Sequence, residues 1–316
     1  MKNKLQLNSL WSIWTICCLI SILRVSTANA TGEFEPSSNS SVGPFSGLSG
    51  VATTNCDKGV VSGQRTMVMV YDGSLSEFVW NINGSKSTYA IGGNSPLEPD
   101  VCIVGDYAIM VYCDAGNSDE IAADIFKSNG TTFQYISSVS LQNSDGRKPH
   151  IDGDINGGDF VVVWEDRRNF PYNVVGCAGD LSGTGGAPYF YSTYTIIDQG
   201  SPCLYPDAVI QGSDILISYS RGGGALFVER ASIANVQTGI AVYNVNYQNM
   251  NNLLNHSGYG PYTFPRIAAG NYPSFDDWAV VYQSGYEIRG IVSDNGSINS
   301  TPYVYNNGNI TATALS

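Results

Sequence analysis

The chain has 316 residues, 13% of them charged, with only two histidines and a formal net charge of −12. So acidic a surface repels phosphate backbones and anionic lipid, which argues against nucleic acid and membrane surfaces as partners and for a neutral ligand or a cation.

The N-terminus reads as a secretory signal. Lys2 and Lys4 precede an apolar run from Leu10 to Leu23, and Ala28-Asn29-Ala30 supplies the small-residue cleavage pattern. Residues 1–30 are therefore expected to leave, taking Lys2, Lys4 and Arg24 with them and moving the formal charge from −12 to −15. No second apolar run of membrane length follows, so no membrane insertion is expected after cleavage. The expected location is secreted or cell-surface, extracellular or periplasmic. Cys56, Cys102, Cys113, Cys177 and Cys203 remain, an odd number that allows at most two disulfides and leaves at least one thiol. No C-x-x-C spacing occurs, so zinc is not expected. Residues 31–50 are Ser-, Gly- and Pro-rich, a leader or a closing strand. Residues 51–316 form the folded domain.

That domain repeats. A proline and a short apolar strand recur at Pro99, Pro149, Pro206 and Pro265. A second apolar strand then ends in Tyr112, Trp164, Tyr219 and Tyr282, after gaps of 13, 15, 13 and 17 residues. A third strand runs into a turn, and a fourth is rich in Tyr and Thr, as in "FQYISSVSL" and "IAVYNVNY". An earlier copy without the proline ends its second strand at Tyr71, and counting back places its first strand near Asp57. Asn-Gly and Ser-Gly turns, β-branched and aromatic strands and no sustained helical period complete the pattern. Four strands per repeat of this length predict an all-β fold, a β-propeller of five four-stranded antiparallel blades. The stretch from Pro149 to Gly183, with "GGDFVVVWEDRR" and "NVVGCAGDLSG", resembles blade repeats of exported bacterial and archaeal propeller proteins. The resemblance implies the blade and not a function, since such repeats occur in adhesins and binding modules alike.

Several residues are candidates for chemistry. The residues after the prolines, Asp100, His150, Asp207 and Arg266, with Asp57 near the equivalent place, would meet around a central channel as a polar ligand site. Asp57, Asp100 and Asp207 also form the carboxylate set that a glycoside hydrolase of this architecture would need, although no glycosidase or sialidase signature surrounds them. His150 and His256 have no partner that suggests a Ser-His-Asp triad. Asp152, Asp154, Asn156 and Gly157 show the D-x-[DN]-x-[DN]-G opening of a calcium loop, with Asp159 as a further oxygen. The twelfth position, however, is Val163 instead of a bidentate Glu, and the equivalent stretches in other repeats are plain turns. A hairpin turn is the reading here; a bound Ca²⁺ is the alternative, and no other cofactor is implied. In "WEDRR", Trp164 reads as a buried closing residue with ion pairs outside it. The Asn- and Tyr-rich stretch from Tyr243 to Phe264 suits a recognition loop. The functional expectation is a non-catalytic exported module for a glycan or protein surface, with a propeller glycoside hydrolase and a self-associating structural protein as alternatives.

Overall fold

The computed structural model describes residues 54–71, 77–91, 95–154, 157–197, 200–222, 224–238, 251–256, 262–269, 278–284, 287–294 and 297–306. The expected signal segment and the 31–50 stretch lie outside the described residues. The rest is an antiparallel all-β structure of five sheets, each formed by one consecutive stretch of chain.

The first sheet comprises β1–β4 (Thr54–Val61, Gln64–Tyr71, Glu77–Ile82, Ser85–Ala90) and the second β5–β8 (Pro96–Val104, Tyr107–Asp114, Glu120–Ser128, Phe133–Gln142). The third comprises β9–β11 (Gly146–Gly153, Phe160–Asp166, Asn173–Asp180), its fourth place being shared by β12 (Tyr189–Phe190) and β13 (Tyr194–Ile197), which both pair with β11. The fourth is β14–β17 (Cys203–Gln211, Asp214–Arg221, Ala225–Ser232, Asn251–His256) and the fifth β18–β21 (Tyr262–Ala269, Trp278–Ser284, Glu287–Asp294, Ser297–Asn306). The first strands pack on one another in the order β1, β5, β9, β14, β18. A short helix, α1 (Ile233–Thr238), buries Ile233 and Val236 between the third and fourth sheets.

Four apolar clusters fill the four junctions between successive sheets. The recurrent aromatics lie in them: Tyr112 between the first and second sheets, Trp164 between the second and third, Tyr219 and Tyr282 in the next two. Each aromatic thus seals its own sheet against the one before it. Cys113 and Cys177 are buried too; their thiols donate to the carbonyls of Gly146 and Tyr191, and burial pushes both up to about 12, so they are unreactive where they lie.

The two marks of the repeat meet across the ladder. Leu97 pairs with Cys113 and Asp100 with Val111, so Glu98 and Pro99 together face the single residue Tyr112. The same two-against-one bulge sets Lys148-Pro149 opposite Trp164, Tyr205-Pro206 opposite Tyr219 and Phe264-Pro265 opposite Tyr282. Proline cannot donate to a ladder, and a bulge accommodates it. Pairing therefore joins proline and aromatic, and their sequence gap is free to vary with hairpin length. Two expectations are corrected. The described fourth strand of the fourth sheet is Asn251–His256, within the stretch read as a recognition loop; "IAVYNVNY" lies outside the described residues. The first strands also begin three residues before the prolines, because pairing continues past the bulge.

Candidate functional site

Position along the first strand can be read from the partner on the second. Asp100, His150, Asp207 and Arg266 each pair with the residue just before their sheet's aromatic, so they occupy one level, as expected. Asp57 does not. It pairs with Val68, three residues before Tyr71, and is level with Asp152 of the third sheet. The residue of the first sheet level with Asp100 is Asn55, which pairs with Val70. Counting back from Tyr71 failed because the first hairpin carries extra residues in both strands.

The aspartates at these two levels have a common partner. Asp57 Oδ2 accepts the backbone N–H of Ile103 on the second sheet at 2.8 Å. Asp100 Oδ2 accepts that of Ile151 on the third at 2.9 Å. Asp152 Oδ2 accepts that of Ile210 on the fourth, and Asp207 Oδ2 that of Ile267 on the fifth, both at 2.7 Å. Each junction between successive first strands is thus tied by one carboxylate, at the two levels in alternation. Hydrogen bonds from a backbone amide to a charged acceptor are among the stronger ones in proteins. The fifth sheet has Arg266 and Ala268 at the corresponding places.

His150 lies between the neighbouring aspartates of its level. Its Nδ1 is 3.2 Å from Asp100 Oδ2 and 3.7 Å from Asp207 Oδ1. Burial, reinforced by the Arg266 guanidinium and by Lys148, pushes its pKa down to about 3 against the pull of Asp207 and Glu98. The imidazole is therefore neutral near pH 7, with Nδ1–H donated to Asp100.

The residues before the prolines, which the sequence did not single out, form a rim one step further out. Glu98, Lys148, Tyr205 and Phe264 have φ of 54°, 53°, 55° and 52°, the left-handed region that non-glycine residues avoid. Such conformations cost about 1–3 kcal/mol each and persist where the surroundings enforce them. Glu98 bonds the Lys148 ammonium at 2.7 Å and its backbone amide at 2.8 Å. Lys148 Nζ lies 5.7 Å from the centre of the Phe264 ring, and Phe264 packs on Tyr205 at 4.4 Å. The Tyr205 amide donates to Glu165 at 2.7 Å, and Glu165 is held by the Arg167 guanidinium. Arg167 in turn lies 5.6 Å from the Tyr172 ring, which meets Phe170 edge-on at 5.6 Å. A continuous chain of charged and aromatic contacts thus runs from Glu98 to Phe170, which is 75% exposed.

Around "WEDRR", Trp164 is fully buried and donates Nε1–H to Gln142 at 2.7 Å, as its reading as a closing residue requires. The acids beside it are also buried. Glu165 is 0% exposed, and burial raises its pKa against the pull of Arg167; Asp166 takes Arg168 through two bonds of 2.9 and 2.8 Å. The carboxylates lie inside and the guanidinium groups outside.

The calcium-like stretch is divided by the structure. Asp152 Oδ2 is engaged by the fourth sheet, and Asn156 lies outside the described residues. The Asp154 amide donates to Asp159 O at 2.7 Å and the Gly158 amide to Asp154 O at 2.9 Å, closing a turn. The Asp154 carboxylate lies over Gly157, where a Cβ would have no room. Among the described residues no group of three or more His, Cys, Asp or Glu is placed to hold a metal ion.

No family model matches the chain, and no curated protein does. Among solved structures, the fungal lectin of Aleuria aurantia, described as a six-bladed β-propeller with a novel fucose recognition mode, is similar at 11% identity. That likeness covers 81% of this chain and 78% of the lectin, with a TM-score of 0.53. An α-L-arabinanase of Penicillium chrysogenum complexed with arabinobiose is 8% identical over 76% of this chain and 77% of its own, with a TM-score of 0.46. At such identities the lectin's likeness is one of fold: this chain is an all-β, propeller-like protein. No helix of the described residues is long and apolar enough to cross a membrane.

Proposed function

We propose that the chain is an exported, non-catalytic five-bladed propeller, secreted or held at the cell surface, whose channel-mouth end recognises a glycan or a protein surface. One observation carries this reading. The carboxylates that a propeller hydrolase would place around its axis, Asp57, Asp100 and Asp207, each accept the backbone amide of the next sheet. A general acid or nucleophile needs a carboxyl facing substrate, whereas these hold sheets together. The rim beside them offers aromatic faces and fixed polar groups, the usual equipment of a recognition site. The lectin of similar fold, described by its fucose recognition, is in keeping with this reading. The test is a glycan array on the purified protein together with release of reducing ends from the same glycans. Binding without release is expected; turnover abolished by Asp207→Asn would make the chain a hydrolase.

A further inference from the structure

The exposed end of the rim allows the ligand to be specified, an inference that rests on the recognition reading above. The loop between β10 and β11 carries Asn169, Phe170, Pro171 and Tyr172. Phe170 is the most exposed large apolar side chain among the described residues, at 75%. It is held edge-on by Tyr172, which is backed by Arg167, and the Tyr172 carbonyl accepts the Cys203 amide at 2.8 Å. Several polar groups around this ring have no partner among the described residues. Arg167 engages Glu165 through Nε and Nη2 and leaves Nη1, and neither the Tyr172 hydroxyl nor the Asn169 amide has a hydrogen-bond partner among the described residues. The charges, in contrast, are matched: Glu165 takes Arg167, Asp166 takes Arg168, Glu98 takes Lys148.

We infer that this loop binds one ring of an uncharged sugar. Phe170 covers the apolar C–H face of the ring, and Asn169, the Tyr172 hydroxyl and Arg167 Nη1 meet its hydroxyls. An acidic sugar would find no unmatched cation here and would face a chain of net charge −12. A hydroxyl-rich neutral ring fits both an exposed aromatic face and a set of unpartnered donors.

The test is titration of neutral, sialylated and sulfated oligosaccharides into the full protein, wild type, Phe170→Ala and Tyr172→Phe, at about 0.05 M and about 0.5 M NaCl. A neutral glycan is expected to bind, with less than about twofold change across the salt range. Phe170→Ala should weaken it by about tenfold or more and Tyr172→Phe by about threefold or more, with both variants melting like wild type. Equal binding by Phe170→Ala would overturn the assignment of the loop while leaving glycan recognition elsewhere on the protein. A preference for acidic sugars with steep salt dependence would overturn the uncharged class. Failure of every glycan to bind wild type would remove the glycan arm of the recognition reading, and this assignment with it, leaving a protein surface as the ligand.

Discussion

Replacement of Trp164 by alanine is expected to lower stability by about 3–5 kcal/mol, the range for deleting a large buried aromatic. The indole is fully buried in the cluster between the second and third sheets, and its N–H supplies the Gln142 side chain. Truncation would open a cavity at that junction and leave buried Gln142 without its donor. It would also remove the residue facing the Lys148-Pro149 bulge, which holds Lys148 in its left-handed conformation. For a chain of this size the loss corresponds to a fall of about 10 °C in melting temperature if unfolding is cooperative. Trp164→Phe separates the two parts: it retains most of the packing and should cost about 1–3 kcal/mol for the lost hydrogen bond alone. Thermal melting of both variants checks the order, and an alanine variant melting like wild type would remove Trp164 from its place in the fold.

The second large effect is loss of stability in mild acid through His150. Its pKa is about 3 in the folded protein, against an ordinary 6.5. Protonation therefore favours the unfolded chain. The histidine's contribution is complete above about pH 6.5 and is lost as pH falls towards 3, with a slope approaching 1.4 kcal/mol per pH unit. Asp100, Asp207, Glu98, Lys148 and Arg266 surround it, so the comparison is with His150→Asn, which leaves all of them in place and can still donate to Asp100. At pH 7 the variant should melt below wild type because it fills less space. The difference between the two should narrow steadily from pH 6.5 to pH 4 as wild type loses its advantage. A difference that stays constant with pH would mean that the imidazole is charged in the folded protein.

The repeat was legible in the sequence because its two marks serve different physical needs. Proline requires a bulge, and the aromatic fills the space at the junction with the preceding sheet, so both recur in the second to fifth sheets. Tight hairpins and β-branched strands were legible for the usual reasons. What sequence could not show was register. Asp57 was set level with Asp100 because hairpin length cannot be counted from one aromatic, and pairing alone shows that it belongs with Asp152. The rim was hidden because Glu98, Lys148, Tyr205 and Phe264 have nothing in common chemically; what they share is a backbone conformation. A signal was nonetheless present, since a proline within a strand implies a bulge, and the residue before it is the one turned out of the ladder. The aspartates of the first strands stand out in the sequence as ligand-binding residues, or as the carboxylate set of the hydrolase alternative, but their bonds to the next sheet were not legible, because the amides that donate to them lie about 45–60 residues further along the chain.

The role of those aspartates is tested most directly by the melting temperatures of Asp207→Asn and Asp207→Ala measured together. The Oδ2 of Asp207 accepts the Ile267 amide at 2.7 Å, a bond buried at the junction of the fourth and fifth sheets. Asparagine retains an acceptor oxygen in the same position, and alanine does not. The asparagine variant should keep most of the wild-type melting temperature. The alanine variant, with a buried amide left unpaired, should lose about 1–3 kcal/mol, or roughly 3–8 °C. An alanine variant that melts with wild type would show that the carboxylate does not tie the sheets and would return Asp207 to the candidates for catalysis.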